Sequence, residues 1–268
     1  AAYSKNHGGV YGKYMFDKKT FAGEFNYDRN TNHYYGYNSE DSILDKDQIE
    51  QRFNMFGLKL NLASNHLKRD HIDYSAGVDW NSISDLYDVN ESDIRIHGFA
   101  GKDLQSLYFR TDLSFDYFKK TRAVNEPLSS NTDLSRNIIN FVPMIQLKNE
   151  KAKLNLGVDV ALEKNLESEV HLFPKVDFLF PVAENIFYLF ANVGGGVVKN
   201  NFYTMAMENP FVNSSVQPLN TVNKLDLKGG LNGAFSSRVS FLAYIKYTTF
   251  DRMQLYYNDS ISTNKFNV

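Results

Sequence analysis

The residues that could do chemistry in this chain are few, and their spacing constrains little. His66, Asp70, His71 and Asp73 combine metal-ligand types, but they fall in a polar strand connection, where a solvated turn is the better reading. Asp41, Asp45, Asp47 and Glu50 could gather around calcium, yet their spacing lacks the central glycine of the helix-loop-helix calcium motif, which leaves a charged surface loop. Gly194, Gly195 and Gly196 could suggest a phosphate cradle. No helix pattern follows them, so close packing or a bend within a strand is expected instead. The chain has six histidines and no cysteine. Thiolate zinc sites, disulfides and cysteine nucleophiles are therefore excluded, and no Ser, His and acid set can be assembled under any spacing constraint. The expectation is a protein that is not an enzyme, with no catalytic, cofactor-binding or metal-ligating residues.

The elements that would have to position any site are extended. Leu154, Leu156, Val158, Val160 and Leu162 share one face of a segment whose other face carries Lys153, Asn155, Gly157 and Asp159. The same period of two sets Phe56, Leu58, Leu60 and Leu62 against Gly57, Lys59 and Asn61. It recurs with Phe109, Leu113, Phe115 and Tyr117 against Arg110, Asp112, Ser114 and Asp116. Further copies oppose Tyr74, Ala76, Val78 and Trp80 to Ser75, Gly77 and Asp79, and Leu225, Leu227, Leu231 and Phe235 to Asp226, Lys228 and Asn232. Another sets Phe21, Phe25 and Tyr27 against Glu24, Asn26 and Asp28. About twelve such segments of about 10 to 15 residues can be traced, longer than the 5 to 6 of ordinary soluble strands and enough to cross a bilayer core when tilted.

The intervals between segments alternate in length. Tight turns are expected at Asp17–Lys19, Gly101–Asp103, Asn149–Lys151, Ala183–Asn185 and Ser236–Arg238, and long loops at Asn30–Glu50, Lys119–Arg136 and Asn200–Thr221. Links near Asn65–His71, Leu86–Ser92 and Asn165 are intermediate. Short turns on one rim and longer loops on the other characterise up-and-down outer-membrane barrels. Paired aromatics near segment ends suit an interfacial girdle: Tyr34, Tyr35 and Tyr37, Tyr108 and Phe109, Phe187 and Tyr188, Tyr256 and Tyr257. A lipid-facing Lys or Arg at mid-depth costs roughly 2 to 4 kcal/mol, and the strand charges fall mainly opposite the apolar series. Glu24, Lys59, Asp79, Arg110, Asp112, Asp116, Lys153, Asp159, Asp226 and Lys228 are thus the candidate lumen-facing residues. Both signs are present, which favours a network of paired charges over a ligand path.

The fold expected is all-β: a transmembrane up-and-down antiparallel β-barrel, read as one domain over residues 1–268 with no plug domain visible. With the short turns placed in the periplasm, Gly9–Phe16 descends, Val239–Asp251 ascends and Phe266–Val268 begins another descent. Both ends then lie outside, so either at least one strand is missing at each terminus, which makes an incomplete portion of a larger barrel the expectation, or the two rims are the other way round. A soluble β-sandwich predicts the same alternation but not the alternating loops. A formal charge of −2 argues against nucleic acid as a partner. Outer-membrane lipid is the partner expected, with a surface lipoprotein or other envelope proteins beside it.

The segment YGKYMFDKKTFAGEFNYDRNTNHYYGYN from Tyr11 to Asn38, MENPFV from Met207 to Val212, and KLDLKGGLNGAFSSRVSFLAYIKY from Lys224 to Tyr247 carry a family resemblance. In them the chain resembles Bacteroidota outer-membrane barrels similar to TonB-dependent receptors. These segments are wall and loop, so the resemblance speaks to fold and compartment. It implies energised uptake of a large nutrient through a plugged barrel, and it carries over no functional residue. The competing class is a structural barrel subunit of an envelope secretion or assembly complex, without transport activity.

Overall fold

The structure is a computed structural model that describes residues 3–34, 49–65, 71–104, 107–121, 134–149, 152–165, 167–183, 186–236, 238–258 and 265–268. Tyr35, Tyr37, Asp41, Asp45, Asp47, His66 and Asp70 lie outside the described residues. Twelve strands form one sheet: β1 (Ser4–Met15), β2 (Lys19–His33), β3 (Glu50–Ser64), β4 (Ile72–Asp85), β5 (Asn90–Leu104) and β6 (Leu107–Thr121) are followed by β7 (Leu134–Asn149), β8 (Ala152–Lys164), β9 (Ser168–Ala183), β10 (Phe187–Val198), β11 (Thr221–Ser236) and β12 (Val239–Asp251). Each strand pairs antiparallel with its sequence neighbours, an up-and-down order. Strand lengths run from 12 to 16 residues. Among the described residues β1 and β12 are not paired with each other, so the sheet is an open run rather than a closed ring.

The strands are separated by short intervals at 16–18, 105–106, 150–151, 184–186 and 237–238 and by long ones at 34–49, 122–133 and 199–220, as the sequence pattern leads one to expect, whereas 65–71 is longer than 86–89 and 165–167 and breaks the alternation. One expected turn is displaced. Gly101–Asp103 is strand, because β5 continues to Leu104 in register with Leu107. Gly101 faces Arg110 across the ladder, and a Cβ there would run into the Tyr108 hydroxyl, so this glycine serves close cross-strand packing rather than a turn.

The glycine run 194–196 lies inside β10, where the register to β11 shifts between Gly194 and Gly196. A Cβ on Gly195 would sit 2.5 Å from Cδ1 of Phe173 and 2.7 Å from the Asn223 carbonyl oxygen. Only hydrogen fits beside that bulge.

Cross-strand register assigns every side chain to one of two faces. One face carries Phe56, Leu58, Leu113, Leu156, Val158 and Leu227, all substantially exposed, and no second sheet covers them among the described residues. That is not the arrangement of a sandwich, whose apolar faces meet. The apolar core sits instead on the polar side of the wall, near the long-loop rim. There the helix α1 (Phe202–Glu208) packs Phe202, Met205 and Ala206 onto Phe53 and Met55 of β3 and Ile83 of β4. The helix starts at an Asn201 cap, whose side chain accepts from the Thr204 amide, while the Thr204 hydroxyl accepts from the Asn201 amide.

The C-terminal residues differ from expectation. Phe266–Val268 does not start a descending wall strand: β14 (Phe266–Asn267) pairs with β13 (Tyr257–Asn258) in a separate ladder. The Phe266 amide donates to the Phe211 carbonyl and its own carbonyl accepts from Asn213, while Val268 packs on the α1 core. Unpaired backbone groups and an apolar terminus find partners in the loop sooner than at the sheet edge.

Candidate functional site

The ten charged residues singled out by periodicity all project from the polar face, the one that α1 overlies. Four of them line up across the sheet. Glu24 is in register with Lys59, Lys59 with Asp79, Asp79 with Arg95, and Arg95 with Asp116. Signs alternate along that row over β2 to β6. Lys59 Nζ lies 3.8 Å from Glu24 Oε1, and Arg95 Nε lies 3.8 Å from Asp116 Oδ2, while Asp79 Oδ2 is 3.7 Å from Nδ1 of His97. Glu24 and Lys59 are about half exposed, so their pairing contributes at most about 1 kcal/mol. A row of this kind sets registry and local potential more than stability.

Beside the row, Arg110, Asp112 and Asp159 share a cavity of about 340 Å³ with Arg95, His97 and Asn140. Arg110 engages both oxygens of Asp112 through Nε, at 3.1 and 3.0 Å, and through Nη2 at 2.6 Å, and its guanidinium lies 3.9 Å from the centre of the Phe99 ring. The fork geometry and the ring beneath it hold the guanidinium in place. Asp159 presents a buried oxygen that has no hydrogen-bond partner among the described residues. The cavity is therefore amphoteric, able to offer hydrogen-bond donors and acceptors to a polar solute.

The remaining three candidates stand apart. Asp226 pairs with Lys246 at 3.0 Å on β12, Lys228 Nζ lies 4.2 Å from the Tyr244 ring centre, and Lys153 stands in register with Lys148 and Leu179. The aromatic pairs also divide. Tyr108 lies on the polar face and donates to Asp73, Tyr34 packs edge-on against Phe211, and Tyr256 donates to Glu208, whereas Phe109 lies on the apolar face. Their proximity along the chain therefore does not make them one girdle, because neighbours in a strand point to opposite sides.

Sequence reading misses Arg95 and His97, although Ile94 and Ile96 alternate with them in the same period of two. It also misses Glu163, Glu169 and His171, whose ligand-type atoms lie within 4.8 Å of one another around the short link 165–167. A guanidinium already serves that group. Arg252 Nη2 is 2.9 Å from Glu163 and 3.4 Å from Glu169, and Asn220 donates to Glu163 at 2.8 Å. The cation that a metal would supply is present as a side chain, so the cluster reads as an ion-pair network.

No known family model matches the chain, and no curated protein matches it. Solved structures do. A mutant of the ferric enterobactin receptor of Pseudomonas aeruginosa superimposes with a TM-score of 0.62 at 10% identity, over 98% of this chain and 46% of the receptor. A siderophore receptor of the same organism gives 0.58 at 11%, over 91% and 45%. The alcaligin outer-membrane receptor of Bordetella pertussis gives 0.58 at 11%, over 94% and 45%. The chain spans less than half the length of these receptors. At such identity the likeness is one of fold: this chain has the up-and-down antiparallel wall found in part of an outer-membrane siderophore-receptor barrel.

Proposed function

We propose that the chain forms part of the wall of an outer-membrane transport barrel, receptor-like in kind, that takes up a solute or nutrient. The observation that carries this is the division of the sheet into faces. Leu113 on β6 is 55% exposed while its neighbour Ser114 is 8% exposed, and β8 repeats this inversion of ordinary burial with Leu162 at 43% beside Glu163 at 2%. Exposed apolar side chains on strands of 12 to 16 residues suit a surrounding of lipid tails, and a polar inner face suits an aqueous lumen. The ten charged candidates are then lumen-facing. Lipid is the partner on one side, and a lipoprotein or other envelope protein is the partner at the rim. The resemblance of the Tyr11–Asn38 hairpin supports a Bacteroidota source.

Because the structural neighbours are named for siderophores, ferric siderophores are the first solutes to test. Membrane fractionation should place the protein in the outer membrane as a heat-modifiable species, and a deletion strain should lose uptake of at least one such solute. Release into aqueous buffer without detergent would defeat the barrel reading. A sealed barrel that co-purifies with fixed partners, with uptake intact in the deletion strain, would favour a structural subunit of a secretion or assembly complex.

A further inference from the structure

We propose that residues 199–220 are a resident constriction of the lumen, a cap seated against the inner wall rather than a loop sampling solvent. This rests on the barrel reading and deepens it. The segment leaves β10 and returns to the adjacent β11, so a short hairpin would have sufficed. It reaches instead across the polar face to β3 and β4, where Phe202, Met205 and Val212 are buried with Phe53, Met55 and Ile83. The Phe202 and Phe53 rings meet edge to face, 6.0 Å apart.

The wall strands in between hold the segment with buried charges. Glu91 of β5, 2% exposed, accepts the backbone amides of Phe202 and Tyr203, each at 2.9 Å. Arg136 of β7, 3% exposed, donates to the carbonyls of Pro218 and Asn200. Lys120 of β6 donates to the carbonyls of Ser214 and Val216 at 2.6 and 2.7 Å. Lys199 reaches back to Asp93 and Asp116, at 2.5 and 3.0 Å. Burial works against the Lys199 charge, but hydrogen bonds and the fields of both carboxylates outweigh it and raise its pKa above the ordinary lysine range.

Two consequences follow from that pattern. Glu91, Arg136 and Lys120 all hold the one segment, so lifting the cap would break their contacts together, which makes release cooperative. Glu91, Arg136 and Lys120 hold the cap by its backbone, while Phe202, Met205 and Val212 supply its apolar seat. With the cap seated, the polar face of β3 to β8 is shielded at the long-loop rim. Solute must pass beside the cap rather than through its place.

The chain has no native cysteine, so engineered thiols report without background. The Ser214 hydroxyl hydrogen-bonds the Asp85 carboxylate, and the pair Asp85→Cys and Ser214→Cys should cross-link almost completely under mild oxidation in outer membranes. Ser82→Cys with Ser214→Cys should not, since Ser82 faces the other side of β4. Met55→Cys, beneath α1, should react with a charged maleimide at least about tenfold faster once residues 202–216 are replaced by a short Gly-Ser linker. The linker variant should also make cells more sensitive to a bulky antibiotic. Failure of the Asp85–Ser214 pair to cross-link, equal labelling of Met55→Cys with and without the cap, or unchanged antibiotic sensitivity would each overturn the proposal. If the protein is absent from the outer membrane, the transport reading falls, while cross-linking and labelling in detergent-refolded protein still decide where the segment sits.

Discussion

Arg252 Nη2 lies 2.9 Å from Oε2 of Glu163, joining the exit of β12 to the end of β8 past three intervening strands. Glu163 is 2% exposed, and Arg252 is the guanidinium that faces its carboxylate, beside Asn220, Asn165 and His171. Arg252 holds its place with a backbone φ of 55°, a left-handed conformation uncommon outside glycine. Arg252→Ala should therefore destabilise the protein by on the order of 3 kcal/mol, since it strands a buried carboxylate. Arg252→Gly should be milder by about 1 kcal/mol, because it loses the pair but relieves the backbone. Denaturant unfolding in lipid vesicles measures both; equal stability of wild type and Arg252→Ala would refute the account.

Leu113 separates a lipid-facing wall from a water-facing one. In a bilayer Leu113→Arg places a charge near mid-strand among lipid tails and should cost roughly 2 to 4 kcal/mol. On a water-soluble sheet the same change at an exposed position would fall within about 0.5 kcal/mol of neutral. Vesicle-refolded protein compared by denaturant titration gives the answer directly.

Much of this wall can be read from period two alone, because most strands set apolar side chains on one face and polar ones on the other. Glu24, Lys59, Asp79 and Asp116 are legible as members of one face, yet their assembly into a single row is not, since register depends on turn lengths that residue types fix only loosely. The α1 cap is less legible still. FYTMAME is too short to show a helical period, and what fixes it is the distant Glu91, which accepts the helix's own first two amides. Phe266 misleads for a related reason. An aromatic in a strand-like context suits a wall strand, but its backbone partners are Phe211 and Asn213, contacts made through the cap rather than through local pattern.

Gly195 tests the bulge in β10. Gly195→Val would press side-chain carbons into the Phe173 ring and the Asn223 carbonyl, and should cost about 1 to 3 kcal/mol through overpacking. Gly196→Ala meets nothing nearer than Asp159 at 4.0 Å and should be tolerated. Comparable unfolding midpoints for the two variants would show that the register shift does not depend on the missing side chain at 195.

Tyr256 links the C-terminal segment to the cap through its hydroxyl, which donates to Glu208 at 3.1 Å. Burial, then the hydrogen bond and charge of Glu208, push its phenol up to about 12 from an ordinary value of 10.0. Since the folded pKa is raised, the contact's contribution is fully present below pH 10 and is lost as pH rises through about 12. The phenolate absorbance that disappears in Tyr256→Phe should accordingly titrate near 12 in the wild type. In Glu208→Gln it should move only part of the way back, because burial, the larger cause, persists. A full return to the ordinary tyrosine range in Glu208→Gln would mean that the carboxylate alone sets the shift, and that the C-terminal segment is not packed against the cap.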